Sequence, residues 1–331
     1  MMMDQTDIKQ TSNRVLSNPL IKISSLTLRN DMIGYAFVLP WIIGLLVFRF
    51  YPIVASFYYS FTEYSVLQPA RWRGLQNYQE MFTQDPLIWQ SVYNTLYYTL
   101  ISVPLGLLLA LLLALLMNQA IRGIGFYRTI YFLPSLVPPV AGTLLWLLIL
   151  DPGNGLMNVG LEALGLPRLG WFKSPVWSKP ALILMSLWGV GAAALIFLGG
   201  LQEIPKVFYE AAEIDGANAL QRLRWITLPL LSPVIFFNLI IGIINSFQVF
   251  TSAFIAGGSA GGGFGGGGTI GGPLGSMLMY MLLLYRNAFR YFQLGYASAM
   301  AVFLFLVLII ITLALIKTSE VWVYYEADQR R

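Results

Sequence analysis

Apolar residues in this chain come in long runs, not in the narrow stripes of surface helices. Six stretches, residues 32–58, 92–117, 130–150, 180–201, 230–256 and 296–317, match the roughly 20 largely apolar residues that a helix needs to cross a bilayer. The second and sixth hold the uninterrupted runs LISVPLGLLLALLLALLM and AVFLFLVLIIITLALI. The fifth carries Asn238, Asn245, Ser246 and Gln248 among its apolar residues. Prolines punctuate the third, in LPSLVPPV at 133–140, and Pro104 lies in the second. Each removes a backbone donor, so kinks are expected there, as packing devices or as marks of a pathway-lining helix. The pattern predicts an all-α polytopic membrane protein of about six transmembrane helices.

Six spans put both termini on one side. That side carries twelve Lys and Arg and the other seven, so the positive-inside rule places the termini in the cytoplasm. The chain then divides into a cytoplasmic tail (1–30), a first span with its outer loop (31–90), a transmembrane core (91–318) and a C-terminal tail (319–331). Nothing in the first thirty residues has the form of a cleavable leader. Trp72, Tyr78, Trp89, Trp171, Phe172 and Trp177 in the outer loops read as interfacial anchors. The outer loop 257–275 is glycine-rich and reads as a slack linker. Residues 277–290 are expected to form a short helix at the outer surface.

Composition narrows the chemistry. With 57% hydrophobic and 11% charged residues, the chain carries about half the charge of a soluble domain. A net charge of +5 without a basic patch interleaved with aromatics does not point to nucleic acid. There are no histidines and no cysteines, which excludes His-based triads, thiolate chemistry and the usual zinc sites. No lysine follows a glycine, so there is no Walker-type phosphate loop. Arg49 is the one ionisable residue assigned to a span and reads as a snorkelling anchor. The spans otherwise offer Asn94, Ser186, Asn238, Asn245 and Gln248, groups able to hydrogen-bond a neutral polyhydroxylated solute. Ion-coupled carriers place charges near the midplane, and none is read there. Energy for uphill movement has to come from another chain.

One interval breaks the apolar pattern: LQEIPKVFYEAAEIDGANALQRLRWITLPLLSP at 201–233. Pro205 suits the first turn of a helix whose one face holds Val207, Ala211 and Ile214. Gly216 stops that helix, and Asn218 caps a second one through Leu220, Leu223 and Ile226, which Pro229 ends. Glu210-Ala211-Ala212, three residues, Gly216, nine residues, then Ile226-x-Leu228-Pro229 resembles the EAA signature of ABC importer permeases, in particular the sugar and glycerol-phosphate branch typified by maltose permease. Gly74-Leu75-Gln76-Asn77-Tyr78, Phe132-Leu133-Pro134 and Gly295-Tyr296-Ala297-Ser298-Ala299 extend the resemblance over about residues 33–317.

The resemblance implies a type I ABC importer permease fold in a bacterial or archaeal cytoplasmic (inner) membrane. It implies a coupling-helix loop at 203–233 that docks on an ATPase subunit through Glu210, Ala211, Ala212, Asp215, Gly216, Ile226, Leu228 and Pro229. Its further partners are a second permease, usually a different chain, and an extracytoplasmic solute-binding protein. This chain is then no enzyme and holds no cofactor, because ATP and magnesium belong to the ATPase. Matching positions for sugar contacts are Asn245 and Gln248, with Ser186 and Trp188 across from them, though polar groups in spans also serve as interhelical glue. A polyol, a glycerol phosphate or another solute stands as the alternative cargo, and an ATP-independent secondary carrier as the alternative class. The sequence departs from the family in the glycine expansion before Gly271-Gly272-Pro273.

Overall fold

The computed structural model describes residues 25–66, 68–119, 121–259 and 271–324. Most of the N-terminal tail, the glycine run 260–270 and residues 325–331 lie outside the described residues, and with them the expectations for those segments. The chain forms two compact units, Met1–Ala55 and Ser56–Arg331. α1 (Ser25–Leu45) continues through a π-turn (Leu46–Phe50) into α2 (Tyr51–Tyr59), whose residues fall on both sides of the unit boundary, and Arg49 is exposed in that turn.

Among the described residues, four helical stretches are long and apolar enough to cross a membrane, and up to six if each of two bent pairs is one span. The unbroken ones are Met32–Tyr59, Pro86–Met117, Ala219–Gly258 and Leu294–Trp322. The long helix α4 (Pro86–Met117) starts on a matched pair of signals. Asp85 accepts a hydrogen bond from the Leu87 N–H at 2.9 Å, and Pro86 occupies the first turn, where no N–H is needed. It runs through Pro104 without a break. Before it, a hairpin of β1 (Thr62–Ser65) and β2 (Gln68–Trp72) pairs Thr62 with Trp72, and α3 (Gln76–Thr83) follows. The Asn77 amide donates to the Ser60 and Thr62 carbonyls, each at 2.9 Å, and fixes the hairpin's base.

The third predicted span is not one helix. It is α5 (Ile124–Leu136) and α6 (Pro139–Ile149), set at 98°. Adjacent prolines explain the corner. A residue before proline is held out of the helical region, and both Val137 (ψ 128°) and Pro138 (ψ 135°) are extended. After α7 (Leu156–Ala163), the fourth span is likewise split, into α8 (Ser178–Leu187) and α9 (Gly191–Glu203), bent by 45°. At Gly191 a Cβ would lie 2.0 Å from the Tyr131 carbonyl oxygen, so α9 touches α5 backbone to backbone. Gly191→Ala is therefore expected to push α9 off α5 and to cost about 1–3 kcal/mol. Thermal unfolding in detergent, with Gly199→Ala at an open helical position as the control, measures this.

The short helices α10 (Lys206–Ile214) and α11 (Ala219–Arg222) form the polar interval. Pro229 does not end the second of them. A π-turn (Leu223–Thr227) joins α11 to α12 (Leu228–Phe247), with the Leu228 N–H on the Leu223 carbonyl. Pro229 then falls in the first turn of α12, where the wider turn before it leaves no donor missing. The chain continues through α13 (Thr251–Ser259), α14 (Tyr280–Tyr285) and α15 (Leu294–Trp322).

The expected short helix in 277–290 forms as α14, but residues 277–283 are core and only the end of the range, with Phe289 62% exposed, lies at the surface. Met277, Leu278, Met279, Tyr280, Leu282 and Leu283 are all at most 2% exposed. Trp171 and Phe172 are also buried, and the Trp171 indole donates to Asn158 Oδ1 at 2.8 Å, so neither anchors an interface. Trp72 and Trp89 are exposed. A second core holds the far half of α4, where Ala110, Ala114 and Met117 pack with Phe197, Leu198, Leu201 and Leu231.

Candidate functional site

The polar interval is built from local signals. Gly216 adopts φ +75°, and Gly216 N–H donates to Glu213 O (3.1 Å) while Ala217 N–H donates to Ala212 O (2.8 Å). These two bonds are the Schellman closure of α10. Asn218 and Gln221 then exchange side-chain and backbone bonds at 2.9 and 2.8 Å, a capping box that starts α11 immediately. Arg222 ion-pairs with Glu213 across the elbow, and the Tyr209 hydroxyl meets Thr227 Oγ1 at 3.0 Å. The elbow is therefore held from within.

Its outer surface is apolar. Val207, Phe208, Ile214, Leu220 and Trp225 are 62%, 45%, 88%, 72% and 71% exposed, an unusual density for so short a stretch. Glu210, Ala211, Asp215 and Gly216 are exposed beside them, Ala212 and Ile226 are half-buried, and Leu228 and Pro229 begin α12. Glu210 and Asp215 form no ion pair among the described residues.

A cavity of about 370 Å³ opens between α4, the α8–α9 bend and α12, in the stretch of α4 that separates the two cores. Its polar lining is Tyr98, Ser102, Ser186, Asn238, Asn245 and Ser246. Tyr98, Ser102 and Ser186 stand together in this lining, with Ser186 Oγ donating to the Ile183 carbonyl at 2.7 Å. Ser246 Oγ donates to Thr99 Oγ1 at 2.9 Å and ties α12 to α4. Of the four sequence-derived contact residues, Ser186 and Asn245 reach this cavity. Gln248 ends α12 beyond it, exposed, and Trp188 stands against Trp146 of α6, ring centroids 6.3 Å apart, outside the lining. Tyr98 and Ser102 were not singled out from the sequence; with Ser186 and Asn245 they share the cavity only after α4, α8 and α12 pack.

Two further residues need reassignment. Asn94 is not a pathway group. Its amide donates to the Gly275 and Leu278 carbonyls at 2.9 and 3.1 Å and clamps the buried segment before α14 onto α4. Lys179, read from the sequence as part of an outer loop, is the second residue of α8 and so belongs to a bent span. Its Nζ donates to Asn94 Oδ1 at 3.0 Å and stands 4.9 and 5.2 Å from the ring centroids of Tyr93 and Tyr97.

A polar cavity among apolar spans, joined by a helix to an exposed elbow with an apolar surface, is the architecture of a membrane transport protein. Residues 88–321 match the family described as binding-protein-dependent transport system inner membrane component, and the chain belongs to that family. It is an ABC transporter permease with an all-α, polytopic fold. A probable ABC transporter permease, YesP of Bacillus subtilis (strain 168), is 42% identical over 91% of this chain and 94% of its own. The trehalose/maltose transport system permease MalF of Thermococcus litoralis is 31% identical over 71% of this chain and 80% of its own. Among solved structures, a chain of a bacterial ABC transporter involved in import of the acidic polysaccharide alginate superposes with a TM-score of 0.75, at 26% identity, over 88% of this chain and 96% of that one.

Proposed function

We propose that this permease carries a carbohydrate through the cavity between α4, α8–α9 and α12, with Asn245 and Ser186 among its contacts. The observation that carries the reading is the lining itself: hydroxyls and amides on three helices, without a charge, around a space large enough for a sugar ring. Such groups match the alternating donors and acceptors of a polyol face, and Tyr98 adds an aromatic wall. The carbohydrates named for the similar permeases support the class of cargo. An extracytoplasmic binding protein delivers it to the outer face, as the family's description supports.

The elbow at residues 203–233 is proposed to seat in a cleft of an ATPase subunit, which supplies ATP, magnesium and the hydrolysis. Glu210 and Asp215 are free for polar contacts there, while Ala211, Ala212 and Gly216 let the partner's backbone approach. Ile226, Leu228 and Pro229 lie where the elbow enters α12. The termini and the elbow lie on the cytoplasmic side in this reading, and a second permease chain completes the path. Gln248 and Trp188 stand outside the one-chain cavity; a role in sugar contact would require the second permease to extend the path toward them.

Asn245→Ala is expected to lower sugar uptake about tenfold, the loss of one or two hydrogen bonds to the solute. Basal ATP hydrolysis by the complex should persist. Uptake of labelled sugar in proteoliposomes, read beside ATP hydrolysis, tests this. Unchanged uptake would remove Asn245 from the contact set.

A further inference from the structure

We propose that Lys179, with Tyr93 and Tyr97, forms an anion-recognising subsite that selects carbohydrates bearing a carboxylate; the proposal rests on the carbohydrate reading above. The three side chains come together where α4 and α8 face each other. Tyr93 and Tyr97 precede Tyr98 and Ser102 on α4, and Lys179 precedes Ser186 on α8 by seven residues, about 10 Å of helix rise. Lys179 and Ser186, seven residues apart, share a face of α8, with Lys179 toward the end of α4 that starts at Pro86.

The ammonium is incompletely satisfied. It offers three donors, and one reaches Asn94 Oδ1 at 3.0 Å. Lys179 is half-buried and forms no ion pair among the described residues. Two tyrosine faces within 5.2 Å of Nζ hold the cation in place, yet they supply no formal negative charge. Tyr93 is 60% exposed, so the pair can be reached from outside the chain. A half-buried lysine with neutral partners beside an open aromatic face is completed by an anion, and the aromatic rings suit the apolar face of a sugar ring. A carboxylated sugar supplies both in one ligand.

A purely structural lysine would hold Asn94 and nothing else. But Asn94 keeps its two bonds to Gly275 and Leu278 through its amide nitrogen, which does not involve Lys179. Lys179→Met can therefore be made without releasing that clamp, and Lys179→Arg restores the charge if the methionine variant is poorly produced.

The test is equilibrium binding of two probes, dimannuronate and its neutral counterpart dimannose, to the membrane complex purified without its soluble binding protein. The wild type should prefer the charged probe by about tenfold. The preference should disappear in Lys179→Met, return in Lys179→Arg and weaken with added salt. Equal binding of the two probes by the wild type overturns the anion subsite and leaves the carbohydrate reading standing. A charged-probe preference that survives Lys179→Met overturns the assignment to this residue. Binding of neither probe overturns both readings.

Discussion

Gly216→Pro abolishes uptake while leaving the spans inserted. Gly216 has φ +75°, whereas the proline ring fixes φ near −65°, so the substitution cannot keep the elbow's path. It also deletes the N–H that closes α10 on the Glu213 carbonyl. The cost, about 3 kcal/mol or more, falls on a short surface segment that no buried core supports. The reverse turn into the Asn218–Gln221 capping box opens, and the proposed seat for the ATPase is lost with it. The measurement is copurification of the ATPase subunit from solubilised membranes, beside uptake and an insertion assay. Gly216→Asn is the control, since asparagine tolerates the left-handed region and should retain most of the complex. If Gly216→Pro still brings the ATPase down in full amount, the elbow is not the docking element.

Asn94→Leu is expected to destabilise the protein by about 2–5 kcal/mol. The substitution keeps the branched four-atom side-chain skeleton but leaves the Gly275 and Leu278 carbonyls without their donor, and each such buried group costs about 1–3 kcal/mol. Thr95 Oγ1 still accepts from Tyr280 N–H at 2.9 Å, and Ser178 Oγ still meets Ser276 Oγ at 2.7 Å, so the segment loosens instead of leaving. The expected readout is a lowered Tm and faster hydrogen exchange confined to residues 274–283. Exchange unchanged there, with a lowered Tm, would assign the loss to some other contact.

What the sequence disclosed was local. Gly216, Ala217 and Asn218 dictate the elbow's turn, because the bonds that close α10 and open α11 each span at most five residues. The long apolar runs likewise sufficed for the polytopic all-α fold. Hidden were the features that depend on partners far along the chain. Asn94 looks like a polar pathway group until its acceptors, 181 and 184 positions away, are known. Trp171 has the residue type of an interfacial anchor and is instead buried, its indole bound to Asn158. Lys179 was assigned to a loop because a charge at a span's edge looks like its end, yet the helix starts one residue before it. The prolines at 138 and 139 signalled a break, but its 98° amplitude came from two consecutive extended residues, a geometry that a single kink does not produce.

The π-turn at Leu223–Thr227 has a mechanical consequence. Because hydrogen bonding passes through it, α11 and α12 form one continuous rod from the elbow to the cavity wall, about 40 Å from Ala219 to Asn245. A hinge at Pro229 would have allowed the elbow to swing while the cavity stayed still. With the helix continuous, a push on Ala219 reaches Asn238 and Asn245 along one element, as the two ends of one lever.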